Sequence, residues 1–422
     1  MEPIFATFAT MAILLILSVP IGPSIGLGVI CGIVLGDLPM ALFIQKFYNS
    51  FDSFPLMAVP FFLLAGDIMA RGTLSEILLD FCHACVGHKR GGLAQISVIS
   101  CLFYGALCGS AAATTAAIGT IMIPAMQRDG YPKEFSAGLN AAAGCLGVMI
   151  PPSIPLILFG AFGGVSVSDL FIAGIVPGCL IAAMLLFTAY LLIVRKGYGT
   201  LHPKLSSRER IRAFKKAAPA LGVPVLILGG IYGGFMTPTE AGCVAVFYAF
   251  VIEIFVYKGM TSALFFHILK SSMFSLGMLF MILIPGGALG TLLLYYNVHE
   301  SLSTLILSMT SSKYVFLLIC LVIYIIIGTF LDAGISIIIL TPILVPIAIK
   351  FGIDPIHFGI LTLVTLCVGF LTPPVGQNLF VACSIAKLDI LTLARSVMPF
   401  MATMLVGVLL ITFVPFFSLC LL

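Results

Sequence analysis

The hydrophobic residues of this chain fall into long, nearly continuous runs separated by short polar stretches. Runs close to the ~20 residues that cross a bilayer are typical of transmembrane helices, whereas a membrane β-barrel shows short alternating segments. The pattern therefore predicts an all-α polytopic membrane protein. The predicted crossings are residues 4–20, 21–36, 55–70, 138–164, 170–194, 217–234, 240–257, 272–294, 357–384 and 394–420.

Two charge-poor stretches, 92–126 and 314–349, lie between these crossings. Each holds about 35 residues, while two full crossings and a turn need roughly 40 or more. We therefore predict that each forms a re-entrant helical hairpin, which begins and ends on one side of the membrane. The stretches 38–54, 71–91 and 297–313 are too polar to cross and predict helices that lie at the membrane interface.

Composition and charge support this interpretation and add an orientation. Hydrophobic residues make up 61% of the chain and charged residues 9%, against about 25% charged in soluble domains. Residues 195–216 carry eight basic side chains and predict a cytoplasmic loop. Counting crossings from this loop places both termini in the periplasm. It also places 17 of the 20 basic residues on the cytoplasmic side, all except Lys46, Lys313 and Lys350.

A Pro-Pro pair occurs once in each half of the chain, at 151–152 in GVMIPPSIPLILFG and at 373–374 in GFLTPPVGQN. We interpret residues 1–194 and 217–422 as two repeats joined by the loop 195–216. Each repeat has an odd number of predicted crossings, so inverted topology is expected, as in many transporters. The pairs are 222 residues apart, and the same offset relates Gly147 to Gly369, Pro124 to Pro346, Gly130 to Gly352 and Pro177 to Pro399.

Each Pro-Pro pair predicts a break in its helix. Proline lacks a backbone N–H, clashes with the carbonyl one turn earlier and disfavours helical geometry at the preceding residue. Inside a membrane the freed carbonyls must face protein or a water-filled cavity, where they and the helix ends can bind a cation or an anionic group. A simple kink is the alternative. The small residues of YGALCGSAAATT, 104–115, allow a hairpin tip to approach such a break closely.

Asp332, in GTFLDAG, is the single charged residue of the stretch 314–349. An ionisable side chain inside a membrane is a candidate site residue by default. A carboxylate at a hairpin tip can also cap the N-terminus of a helix, and the two roles are compatible. Glu240, in TPTEAG, fits an N-terminal cap better than a site residue.

Other functional classes lack support in the sequence. Cys82 and Cys85 form a CxxC without a second one, and the six histidines have no ligand spacing, so we predict no structural metal site. No HExxH or P-loop motif occurs, which argues against a zinc-dependent enzyme and against direct ATP drive. A charged ring motif of a channel is missing. The basic segment of so apolar a chain predicts a cytoplasmic loop, not nucleic-acid binding.

Four motifs, in this order, resemble the large membrane (M) subunit of the tripartite ATP-independent periplasmic (TRAP) transporters, within the ion transporter superfamily. The resemblance covers essentially the whole chain. It implies an elevator-type transporter of the bacterial inner membrane, in which two hairpins and two broken helices move against a scaffold. The motifs are Gly-x-x-x-Pro-Pro-Ser at 147–153, TPTEAG at 237–242, GTFLDAG with TPILVP within 328–346, and LTPPVG at 371–376.

The same resemblance implies the coupling ion and the partners. Uptake is expected to be a symport driven by a Na⁺ gradient. A periplasmic substrate-binding protein is expected to deliver an organic acid, such as a C4-dicarboxylate, a sialic acid or a sugar acid. A separate small membrane subunit of four helices is expected to complete the scaffold within the membrane lipid. The alternative is a stand-alone ion-coupled organic-anion carrier of the same superfamily.

The resemblance also implies site residues, many of which would act through backbone carbonyls. The substrate is expected near Ser153, Gln377 and Asn378. The residues expected around Na⁺ in the first half are Gly105, Gly109, Ser110, Ile150, Pro151 and Pro152, and those in the second half are Gly328, Asp332, Gly334, Thr372, Pro373, Pro374 and Gly376.

Overall fold

The computed structural model describes residues 2–49, 54–200 and 205–422, and these ranges are helical with no strand. The first half contains α1 (Glu2–Ile16), α2 (Ile21–Leu35), α3 (Met40–Asn49), α4 (Ala58–Arg71), α5 (Leu74–Val86), α6 (Gly92–Cys108), α7 (Ala111–Arg128), α8 (Lys133–Gly144), α9 (Leu146–Met149), α10 (Ile154–Gly163) and α11 (Val167–Lys196). The second half contains α12 (Ser207–Tyr232), α13 (Pro238–Val251), α14 (Ser262–Tyr295), α15 (Val298–Met309), α16 (Lys313–Phe330), α17 (Ala333–Lys350), α18 (Pro355–Gly369), α19 (Gln377–Ala386), α20 (Ile390–Phe413) and α21 (Phe416–Leu419).

The predicted all-α polytopic fold is confirmed. Within the described ranges, eight helices are long and apolar enough to cross a membrane, or nine if the bent pair Lys133–Met149 and Ile154–Gly163 is one span. The first two predicted crossings differ from this picture, because α1 and α2 have only 15 residues each. At 1.5 Å per residue such a helix is roughly 22 Å long, which is short of the ~30 Å hydrocarbon core.

Both predicted hairpins are pairs of helices joined by two residues: α6 with α7, and α16 with α17. Their bounds agree closely with the stretches 92–126 and 314–349. The helices α16 and α17 have 18 residues each and satisfy the length and hydropathy of a span. Re-entry into the membrane stays a prediction for both hairpins. The predicted interfacial helices correspond to α3, α5 and α15.

Local sequence explains where several helices begin. In α12 and α13, Ser206 and Thr237 form capping boxes with Glu209 and Glu240 respectively. The Glu240 carboxylate accepts a hydrogen bond from the Thr237 backbone N–H at 2.8 Å. Such a box satisfies N–H groups that a helix start would otherwise leave unpaired. Glu240 is therefore a helix cap, as its sequence context indicated.

The two Pro-Pro pairs interrupt helices, as predicted. In the first half α9 ends at Met149 and α10 begins at Ile154, with a bend of 45° between Lys133–Met149 and Ile154–Gly163. In the second half α18 ends at Gly369 and α19 begins at Gln377. Both Pro-Pro peptide bonds are cis. Because one helix ends before each pair and another begins after it, each break is a non-helical segment between two helices, and not a kink within one.

The broken helices of the two halves pack against each other in the interior of the molecule. The Cys145 thiol donates to the Cys367 carbonyl at 3.4 Å, and the Cys367 thiol lies 3.8 Å from the Cys145 carbonyl. The two cysteines are fully buried and 222 residues apart. The helices α7 and α17 also begin 222 residues apart. The halves thus contain corresponding elements, while their opposite orientation in a membrane stays a prediction.

Candidate transport site

A cavity of about 240 Å³ lies where the hairpin tips approach the start of α10. The first tip contributes Gly109 and Ser110, and the second contributes Asp332 and Gly334. Asp67 of α4 also lines it, together with Ser275 and Leu279 of α14. The cavity therefore joins residues from both halves of the chain, and it includes four of the residues predicted from the sequence.

The first tip is placed by two local features. Gly109 has a left-handed backbone with φ +61°, and a Cβ there would lie 2.9 Å from the Pro152 carbonyl oxygen. Only glycine fits so close an approach to the break, since a side chain would require the backbone to move. Ser110 then caps α7, because its hydroxyl accepts from the Ala113 N–H at 3.4 Å.

The second tip carries the only carboxylate of either hairpin tip. Asp332 caps α17, since its carboxylate accepts from the Gly334 N–H at 2.9 Å, and its carbonyl accepts from the Ser336 hydroxyl at 2.9 Å. The side chain is exposed and lines the cavity. Both roles considered for Asp332 therefore have a geometric basis, because one carboxylate can cap the helix and still face the cavity.

Paired glycines bring each hairpin against its broken helix. A Cβ on Gly105 would lie 2.7 Å from Gly147 Cα, and a Cβ on Gly369 would lie 2.7 Å from the Gly328 carbonyl carbon. Small residues let helix backbones approach this closely. Gly105 and Gly328 do not line the cavity, so their position indicates a packing role beside the tips.

The first break, residues 150–153, is buried, and its backbone has unused acceptors. Among the hydrogen bonds of the described residues, none ends on the carbonyls of Ile150, Pro151 or Pro152. Ser153 is 1% exposed, and its hydroxyl has no partner among the described residues. Ile154 and Pro155, which follow directly, line the cavity. This backbone is thus equipped to bind a cation or a polar group of a ligand.

The second break is more open than the first. Pro373 is half-buried and Pro374 is exposed. The Gly376 N–H donates to the Thr329 carbonyl at 3.0 Å, which ties the break to the second hairpin, and the Thr372 hydroxyl donates to the Val368 carbonyl at 2.9 Å. Phe370, at the end of α18, is the one residue of this break that lines the cavity.

None of the three residues expected near the substrate, Ser153, Gln377 and Asn378, lines the cavity. Asn378 is fully buried, and its amide donates to the Ala141 carbonyl at 3.1 Å and to the Cys145 sulfur at 3.3 Å. The amide therefore joins α19 to α8, which is a structural connection between the halves. Gln377 is half-buried at the first position of α19.

Asp67 is a cavity residue that the sequence analysis did not identify. Its carboxylate accepts from the Ser272 hydroxyl of α14 at 2.6 Å. One turn further along α4, Arg71 donates to His267 at 2.9 Å and to Ser271 at 2.7 Å. The available signal was a lone carboxylate within the apolar run 55–70, and such residues usually have a functional role.

The atoms around the cavity that could act as metal ligands suit a hard cation better than a transition metal. Within the described part of the chain, no group of three or more His, Cys, Asp or Glu residues is placed to hold a metal ion. Carbonyl, hydroxyl and carboxylate oxygens are present instead.

A serine motif elsewhere in the chain does not form a catalytic site. Residues 22–26 read GPSIG, the spacing of a serine nucleophile elbow, but Ser24 is fully buried and its hydroxyl donates to the Pro20 carbonyl.

Hairpin tips that meet a proline-broken helix at a cavity are typical of secondary transporters. The chain belongs to the TRAP transporter family: the model of the tripartite ATP-independent periplasmic transporter, DctM component, matches residues 8–417. It is thus a transporter component of the inner membrane and not an enzyme, as the sequence motifs had indicated.

Relatives extend over nearly the whole chain. The isethionate TRAP transporter permease protein DctMQ of Oleidesulfovibrio alaskensis is 40% identical over 98% of this chain, which spans 65% of that relative's length. The C4-dicarboxylate TRAP transporter large permease protein DctM of Rhodobacter capsulatus is 36% identical over 98% of this chain and 97% of its own length.

A third relative and a solved structure complete the comparison. The sialic acid TRAP transporter large permease protein SiaM of Vibrio cholerae is 33% identical over 89% of this chain and 88% of its own. The crystal structure of the YdaH transporter of Alcanivorax borkumensis aligns with a TM-score of 0.61 and 17% identity, over 88% of this chain and 86% of that one. At this identity the likeness concerns the fold alone.

Proposed function

We propose that the chain is the large membrane subunit of a sodium-coupled uptake system for an organic acid. The observation that carries this proposal is the cavity, which both hairpin tips and the start of α10 line together. In the proposed elevator mechanism, the hairpins and broken helices carry the substrate past a scaffold that includes α4 and α14.

The helix ends around the cavity favour an anionic substrate. Ser110 and Asp332 are the N-caps of α7 and α17, and Ile154 is the first residue of α10. All three residues line the cavity. Helix N-termini carry partial positive charge and free N–H groups, which attract carboxylate and similar anions. The names of the three relatives mention isethionate, C4-dicarboxylate and sialic acid, all organic acids, and we propose a substrate of this class.

The carboxylates of Asp67 and Asp332 supply a physical reason for sodium coupling. Both face the cavity and would repel an organic anion there. A cation bound nearby offsets this repulsion, so that anion and cation favour each other's binding. The carbonyls of Ile150, Pro151 and Pro152, which lack donors among the described residues, are the proposed ligands in the first half, and those around Asp332 and Thr372 in the second.

The proposed partners are a small four-helix membrane subunit and a periplasmic substrate-binding protein. Support comes from the family, which is tripartite by name, and from the additional length of the DctMQ relative, of which this chain spans 65%. The competing function is a stand-alone carrier of the same superfamily. The tripartite system requires the binding protein for uptake, whereas a stand-alone carrier does not.

Reconstitution tests the proposal. Proteoliposomes that hold the chain and its small subunit should accumulate a labelled organic acid only with an inward Na⁺ gradient and with the binding protein outside. A panel of C4-dicarboxylates, sialic acid, sugar acids and isethionate identifies the substrate. Uptake that persists with choline in place of Na⁺ and stops when a proton gradient collapses would contradict sodium coupling. Equal uptake without the binding protein would favour the stand-alone carrier.

A further inference from the structure

A second pocket of about 470 Å³ lies between α5 and α12, beside the π-helical turn Ile252–Val256, and we call it the α5–α12 groove. It shares no residue with the transport cavity. Its charged lining comes from Glu76 and Asp80 on α5 and from Lys215 and Lys216 on α12. Its apolar lining is Ile77, Pro219 and Val256.

The groove lies where α12 changes from polar to apolar. Residues 207–216 of this helix carry five basic side chains, while residues 217–232 carry no charge. Such a change marks the headgroup level of a membrane. Next to the groove, Phe255 and Val256 are 71% and 52% exposed. A ligand in the groove would therefore meet charged groups at one end and hydrocarbon at the other, which suits an amphiphile.

The two sides of the groove carry opposite charge. Lys216 and Asp80 already pair across it at 3.4 Å. Glu76 and Lys215 are exposed, and neither has an ion-pair partner among the described residues. The groove therefore offers one available carboxylate on α5 and one available ammonium on α12. A ligand that carries a phosphate and an ammonium group complements both, whereas a purely anionic ligand would face Glu76 and Asp80.

The walls of the groove are fixed to each other by hydrogen bonds. Glu253 is fully buried, and its carboxylate accepts from the N–H groups of Thr73 at 2.6 Å and Leu74 at 3.2 Å, at the start of α5. On the other side, the Tyr257 hydroxyl donates to the Lys216 carbonyl at 2.8 Å. A site whose walls are held before the ligand arrives loses less entropy on binding.

We propose that the α5–α12 groove binds the headgroup of phosphatidylethanolamine. The phosphate lies on Lys215, the ammonium group donates to Glu76, and the acyl chains run beside Phe255 and Val256. Phosphatidylglycerol lacks the ammonium group and meets the two carboxylates. Phosphatidylcholine lacks N–H donors. The groove thus distinguishes three phospholipids whose acyl chains are the same.

Native mass spectrometry of the full chain in detergent tests this assignment. Phosphatidylethanolamine, phosphatidylglycerol and phosphatidylcholine with identical acyl chains are titrated separately, and bound lipids are counted. The wild-type chain should retain phosphatidylethanolamine most strongly. Lys215→Ala and Glu76→Gln should each weaken that binding about fivefold, the effect of one charge at the headgroup level. Glu76→Gln should not weaken binding of phosphatidylglycerol.

Arg208→Ala is the matched control, since Arg208 is exposed on α12 two turns before Lys215 and does not line the groove. It should leave phosphatidylethanolamine binding within twofold of wild type. Equal retention of the three lipids, unchanged binding in both groove variants, or an equal loss in Arg208→Ala would each overturn the proposal. Melting curves without added lipid check that all three variants are folded, and an unfolded Lys215→Ala is replaced by Lys215→Gln.

Discussion

At the scale of single residues, the two carboxylates of the cavity come from different parts of the chain. Asp332 sits at a hairpin tip and caps α17, whereas Asp67 lies within α4 and bonds to Ser272 of α14. One belongs to the proposed moving part and the other to the proposed scaffold. Their shared cavity means that both charges act on any cation or anion bound there.

The first prediction concerns these charges. Asp67→Asn and Asp332→Asn should each raise the Na⁺ concentration needed for half-maximal thermal protection by about fivefold, because each removes an attraction of ~1 kcal/mol. Ser272→Ala is the control, since it breaks the 2.6 Å hydrogen bond and keeps the charge. The readout is the melting temperature of the purified chain across a Na⁺ series. Unchanged Na⁺ dependence in both Asn variants would remove these carboxylates from the proposed ion site.

A second residue-scale prediction concerns the glycine contacts. Gly105→Ala and Gly328→Ala should each destabilise the chain by about 1–3 kcal/mol, because the added Cβ would lie 2.7 Å from Gly147 Cα and 2.8 Å from the Leu366 carbonyl oxygen. Gly229→Ala is the control, since its Cβ meets nothing within 4 Å and alanine favours the helix. Thermal melting measures all three. Wild-type stability of both packed variants would mean that the hairpins do not approach the broken helices so closely.

At the scale of elements, the sequence predicts the hairpins and breaks well because their signals are local. Proline pairs end helices through their own backbone chemistry, and charge-poor stretches of small residues locate the tips. The hydrogen-bond partners of two side chains are not local. Asp67 accepts a hydrogen bond from Ser272, 205 positions away, and Asn378 donates one to Ala141, 237 positions away. Such partners are set by packing between distant segments, so the sequence alone does not reveal the contacts of Asp67 or Asn378.

The prediction at this scale concerns the Pro-Pro breaks. Converting Pro151 and Pro152, or Pro373 and Pro374, to Ala-Ala should let the helix continue, since alanine is favoured over proline by ~3 kcal/mol per residue in a helix. The break carbonyls would then pair within the helix and cease to be ion ligands. We expect severe loss of uptake and of Na⁺ protection, with normal expression and insertion.

The control for this experiment uses two single prolines, one in each half, which are related by the same offset of 222 residues but lie outside the breaks. Pro177 and Pro399 lie inside the continuous helices α11 and α20, so Pro177→Ala and Pro399→Ala should retain uptake. Both break variants should behave alike, because each serves one half of the proposed site. Near-normal uptake in both would mean that the breaks only bend their helices.

At the scale of the whole molecule, the inverted repeat depends on orientation. The corresponding elements α7 and α17, and α8 and α18, are offset by 222 residues, but such an offset is compatible with parallel or inverted halves. Orientation follows from the number of crossings and from the basic residues. The short helices α1 and α2 matter here, because a pair of crossings that is added or removed together does not change the side on which the N-terminus lies.

The last prediction therefore tests orientation directly. Cysteines introduced as Glu2→Cys and Arg208→Cys are exposed to a membrane-impermeant maleimide on intact cells and, separately, on lysed cells. The wild-type chain is the blank, because its twelve native cysteines contribute a constant background. The asymmetry of 17 to 3 basic residues predicts that Glu2→Cys reacts in intact cells and that Arg208→Cys reacts only after lysis.

Labelling of Arg208→Cys in intact cells would place the central segment outside and reverse the proposed topology. Labelling of neither variant in intact cells, with both reacting after lysis, would give an even number of crossings before residue 208. The first half could then not be the inverted counterpart of the second.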